Sequence, residues 1–141
     1  MVNQLIKKLT GIFIEEEKSK CTEQDQLVKN AFSVYARVFN KECLGWQHNL
    51  EWNEMFLKQQ QRYCNDKLRL RGHLFLNEVF DTLGFPRTKL GAIVGWVYDE
   101  KNPTGDNFVD FGICTEDKTG IVENPDVILN FNVDGEILSK I

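Results

Sequence analysis

Residues 76–88 read LNEVFDTLGFPRT. Leu76, Val79, Phe80 and Leu83 recur at helical intervals, and Leu83-Gly84-Phe85-Pro86 then stops the helix. Gly84 accepts the left-handed cap, Phe85 is the apolar residue that packs back on the last turn, and Pro86 forbids continuation. Apolar spacing before this point is helical, and after it the spacing alternates. The expected product is α+β: helices first, including one long and kinked, and a small antiparallel sheet last.

Working toward the N-terminus, residues 49–83 hold no proline and one glycine, with apolar groups at Trp52, Met55, Phe56, Tyr63, Leu70, Leu74, Phe75 and Leu76 leading into the stripe just described. Unbroken, such a helix would be roughly 50 Å long, more than a small domain accommodates. A kink or break is expected near Arg71 and Gly72, where the two apolar faces fail to join. Further upstream, Thr22 and Asp25 give a start signal, and Leu27, Val28, Ala31, Phe32, Tyr35, Val38 and Phe39 predict a helix over 23–39. Asn40 to Gly45 then forms a loop. Leu5, Ile6, Leu9, Ile12 and Phe13 predict an amphipathic arm within residues 1–20, docking on protein, ahead of a single α+β domain over 21–141.

Toward the C-terminus, Thr88 is expected to cap a turn over Lys89 to Val94, and Gly95 to end it before Trp96-Val97-Tyr98 becomes extended. Phe108 to Cys114 and Val127 to Val133 alternate and predict strands. Asp134-Gly135 predicts a tight hairpin returning through Ile137-Leu138, because this pair accepts positive φ cheaply. Asp99 to Asn107 and Glu116 to Asp126 read as loops.

Composition narrows the function. The chain has 141 residues, 42% hydrophobic and 27% charged, with a formal charge of −4, so nothing draws it generally to nucleic acid or anionic lipid. Residues 1–90 hold 14 basic and 11 acidic groups, against 3 and 10 in residues 91–141. No apolar run of about 18 residues and no cleavable leader pattern is present, which predicts a cytoplasmic location without a membrane role. Cys21, Cys43, Cys64 and Cys114 offer no local C-x-x-C pair, so buried thiols are expected rather than a metal site, and no cofactor is implied.

Each candidate site has a plainer competitor. Arg62, Lys67, Arg69, Arg71, Arg87 and Lys89 make the best basic cluster, and with Tyr63 or Trp96 for stacking they would suit phosphates and bases. Asp66 among them favours an ordinary solvated flank. Asp99, Asp106 and Asp110 would suit a hard cation only if brought together, and ordinary turn chemistry is the favoured reading. Glu78 and Asp81 share a helical face without any sign of an acid–base pair, and His73 at the break reads as a half-buried structural residue. Trp46, Trp52 and Trp96 with ten phenylalanines exceed what so small a core requires, which points to an interaction surface.

The runs LNEVFDTLGFPRT and GAIVGW, followed by DNFVDFGI and LNFNVDGEI, resemble an uncharacterised protein family, a domain of unknown function encoded by phages and prophages of Gram-positive gut bacteria. The resemblance covers rather more than half of the chain. It carries over only the glycines Gly84, Gly91 and Gly95, since it implies no activity and no catalytic residue. Many relatives bear an apolar segment ahead of this domain, and none is expected in this chain. What the resemblance implies is phage origin, with action in the cytoplasm of the infected host or in the virion. The expected function is therefore that of a non-enzymatic phage accessory protein that binds protein, either a virion or assembly component or a host factor, or that self-associates. The alternative is nucleic-acid binding through the basic helix flank.

Overall fold

The computed structural model describes residues 23–114 and 125–141. The expected arm over 1–20, Cys21 and most of the 116–126 loop lie outside them. Among the described residues, the α-helices α1 (Glu23–Ala31), α2 (Leu50–Arg71) and α3 (Leu76–Leu83) precede most of the strand residues. The strands are β1 (Arg37–Phe39), β2 (His73–Phe75), β3 (Val94–Val97), β4 (Ile113–Cys114), β5 (Val127–Leu129) and β6 (Gly135–Glu136). They form two antiparallel three-stranded sheets, ordered β1-β5-β4 and β2-β3-β6, so the chain is α+β with two small sheets where one was expected.

The helix predicted through Phe39 stops at Ala31. Ser33 turns the chain, its hydroxyl accepting from Tyr35 N–H at 3.3 Å and donating to the Asn130 side chain at 3.1 Å. Residues 37–39 then pair with β5, Val38 opposite Ile128. Val38 and Ile128 pack against Val28 and Ala36, while Phe39, Val127 and Leu129 belong to the main core. A β-branched and aromatic run that fits either period becomes a strand here because both of its faces find apolar partners.

α2 starts at Asn49, whose side chain accepts from Trp52 N–H at 3.0 Å, and buries Asn53, Leu57, Cys64 and Leu68 along one line. The kink or break expected near Arg71 and Gly72 is a complete break. Gly72 takes φ 84° and donates to Leu68 O, and β2 intervenes before α3 begins. At the end of α3, Gly84 has φ 83°, and the N–H groups of Gly84 and Phe85 both reach Phe80 O. With the Phe80 and Phe85 rings 5.7 Å apart, this is the predicted cap complete with its apolar contact, and Pro86 follows it.

Gly95 ends no helical turn. Thr88 does cap its turn, accepting from Gly91 N–H at 2.8 Å, but that turn spans only Leu90–Ala92. Gly95 lies inside β3 opposite Phe75, where an added Cβ would stand 2.0 Å from Leu74 O. It is needed for close backbone approach. Asp134-Gly135 also differs from the hairpin expected, because β5 and β6 lie in different sheets and the chain crosses between them. Asp134 secures the crossing by donating from its N–H to Gly95 O at 2.9 Å and accepting from Val97 N–H at 3.0 Å. Of the strand predicted over 108–114, only Ile113–Cys114 pairs as one. The core between the sheets and helices centres on Trp96, Phe80, Phe111 and Phe131, with Phe111 and Phe131 edge to face at 5.4 Å.

Candidate interaction face

Three amide side chains fix the orientation of α2. Asn53 donates to Gln47 O and Pro125 O and accepts from Gln47 N–H, Gln61 accepts from Phe111 N–H at 2.8 Å, and Asn65 both accepts from Val109 N–H and donates to Val109 O. With that side tied to the sheet region, the opposite side faces water. It carries Trp52, Met55, Tyr63 and Leu70, exposed by 36%, 57%, 55% and 87%. The Trp52 indole is held in place by donating to Gly45 O at 2.8 Å. In the sequence these four stand among the apolar groups of residues 49–83 with nothing in the bare count to separate them from the buried set. A helical projection through Leu57, Cys64 and Leu68 was the signal that would have set them apart.

The basic cluster is largely neutralised. Arg71 meets Glu78 at 2.5 Å, Lys67 meets the same carboxylate at 3.6 Å, Arg69 meets Asp66 at 2.6 Å and Arg87 meets Asp81 at 2.5 Å. Burial works to raise the Glu78 pKa, but hydrogen bonds from Arg71 and Phe75 N–H and the charges of Arg71 and Lys67 outweigh it, leaving it at about 2. The hydrogen bond from Arg87 likewise holds Asp81 below its ordinary value. Both carboxylates stay ionised, as anchors of arginine. Arg62 sits apart from this network. With Glu51, Glu54, Met55, Lys58 and Gln59 it lines an open groove of about 540 Å³ on the outer side of α2. Lys89 is exposed at the start of the turn after Thr88.

Trp96 leaves the list of stacking candidates. It is fully buried, and its Nε1 donates to the Asn132 side chain at 2.9 Å and to Asn132 O at 3.1 Å. The three aspartates are occupied separately. Asp99 accepts from Lys101 and Asn102 N–H, Asp106 from the Asn132 amide and Asp110 from Gly112 N–H. Among the described residues, no three His, Cys, Asp or Glu side chains converge as metal ligands. His73 is half-buried with its ring 5.6 Å from Phe75, edge to face. Cys64 is buried, which pushes its thiol up to about 12, so it is no nucleophile at neutral pH. Cys43 and Cys114 are half-buried, and Trp46 packs near His48 at 6.0 Å.

The fold and this site define a small α+β protein with four large apolar residues exposed on one long helix, beside a groove lined by charged side chains. A family of unknown function (DUF6353) matches residues 7–141, and the chain belongs to that family. No match is found among curated proteins or among solved structures. Among the described residues, no helix is long and apolar enough to cross a membrane.

Proposed function

We propose that this chain is a non-enzymatic phage accessory protein that binds another protein through the outer face of α2, in the cytoplasm of the infected bacterium or in the particle assembled there. The observation that carries the binding reading is the exposure of Trp52, Met55, Tyr63 and Leu70 on a single helix. Large apolar groups clustered at the surface are where protein partners gain most of their contact energy, aromatic residues above all. The phage origin rests on the resemblance of residues 76–96 and of the runs that follow.

The test pairs mass spectrometry of purified phage particles with affinity capture from infected cells, using the wild type beside a Trp52→Ser, Tyr63→Ser, Leu70→Ser triple variant. A protein retained by the wild type and lost by the folded variant supports the reading. Equal capture by both refutes this face. Nucleic-acid binding is the weaker alternative, because Lys67, Arg69, Arg71 and Arg87 already have carboxylate partners and Trp96 is buried. Absence of DNA binding at about 50 mM salt removes it.

A further inference from the structure

We infer that the outer face of α2 is self-complementary and takes a second copy of this chain, helix against antiparallel helix. This rests on the proposal that the face binds protein, and names the partner. The unusual feature is an ordered charge separation. Glu51 and Glu54 lie on the first two turns, Lys58 and Arg62 on the next two, all beside the same groove with Met55 between them. None of the four enters an ion pair among the described residues, although every other cation of α2 does.

At 3.6 residues per turn, Glu51, Met55, Lys58 and Arg62 fall on one narrow stripe, with Glu54 on one flank and Trp52, Gln59 and Tyr63 on the other. A two-fold axis perpendicular to the helix, passing midway between Met55 and Lys58, sets residues in reciprocal opposition. Glu51 then faces Arg62 of the second copy, while Glu54 stands level with Gln59 of the second copy and within one residue of its Lys58, close enough for a diagonal pair. Met55 lies at the centre, against its equivalent and the aliphatic stem of Lys58. On the flank, Trp52 falls between Gln59 and Tyr63 of the second copy. One axis thus satisfies all four charges and three of the exposed apolar residues, while the opposed helix dipoles add favourably. A parallel arrangement would set like charges side by side. Exposed ion pairs are individually weak, and a contact of one helix face is small, so the dimer is weak and sensitive to salt.

The experiment is sedimentation of the full chain over a concentration series, for the wild type, for Glu51→Lys with Glu54→Lys, and for Lys58→Glu with Arg62→Glu. The wild type is expected to self-associate, by at least about tenfold more tightly at low salt than at about 500 mM. Each charge-reversed variant should lose about tenfold or more of that affinity, since its copies now oppose like charges. An equimolar mixture of the two variants should recover association as a heterodimer. A wild type that stays monomeric, or a mixture that fails to recover, overturns the inference. Circular dichroism confirms that both variants are folded, and surface substitutions of this kind are expected to be tolerated. If the wild type is monomeric yet the particle and capture experiment still finds a partner dependent on Trp52, Tyr63 and Leu70, the second copy is excluded and protein binding stands.

Discussion

The segment from Leu50 to Thr88 and the described residues between Val97 and Asp134 satisfy their backbone groups by different means. In the first, most partners lie within a few residues. Asn49 caps Trp52, Gly72 closes onto Leu68, Glu78 accepts from Phe75 N–H, and Phe85 closes onto Phe80. In the second, local turns at Asp99 and Asp110 are joined by partners from far along the chain. Val109 is paired by Asn65, Phe111 by Gln61, Asp110 by Asn132 and Val97 by Asp134. Local capping costs little entropy and survives when the rest of the molecule loosens, whereas amides reaching across the fold hold only while the fold is complete.

Substitutions can break this contrast. The largest effect is expected at Gly95, the meeting point of both sets. Gly95→Val drives a side chain into the β2 backbone and should destabilise by about 3 kcal/mol, read as a fall in denaturant midpoint. An unchanged midpoint would refute the close approach at Leu74. Next, Asn65→Ala leaves both polar groups of the buried Val109 without their amide partner and should cost about 2 to 3 kcal/mol. Hydrogen exchange should then speed at residues 108–112 while the α3 amides keep their protection, and equal loss in both would abolish the distinction. Gly84→Val should cost about 1 to 2 kcal/mol, since a β-branched residue resists the left-handed cap.

Glu78 sharpens the contrast through pH. Its pKa lies at about 2 in the folded chain against 4.5 ordinarily, so its contribution is fully present above pH 4.5 and is lost as the pH falls through 2. Screened by solvent, that contribution should be about 1 kcal/mol, and Glu78→Gln should flatten this part of the stability profile. A variant with the wild-type slope would show that the arginine and lysine contacts contribute nothing. The smallest effect belongs to the exposed Asp66–Arg69 pair, where Asp66→Ala should change the denaturant midpoint by less than about 0.5 kcal/mol equivalent.

Residues 50–88 were readable because their signals act over one turn of helix. The cap at Gly84 and the break at Gly72 require only local backbone chemistry, and they stand where the pattern places them. The same logic misread Arg37 to Phe39, which fit a helical period but found a strand partner at Val127 to Leu129, and Gly95, where the need is closeness to β2. Of the residues on the candidate face, the sequence singles out Arg62 and Tyr63, as contacts for nucleic acid, but not Lys58; Trp96 is buried, and Leu70 is not separable from core by spacing alone.

The sequence by itself determined the α+β order, the stops of α2 and α3 and the supply of large apolar and charged groups on residues 50–71, because spacing and cap chemistry are short-range. Only the tertiary structure decided which of those groups meet water. The amides of Asn53, Gln61 and Asn65 bind to residues brought in from the other half of the chain, and that long-range choice turns Trp52, Met55, Tyr63 and Leu70 outward.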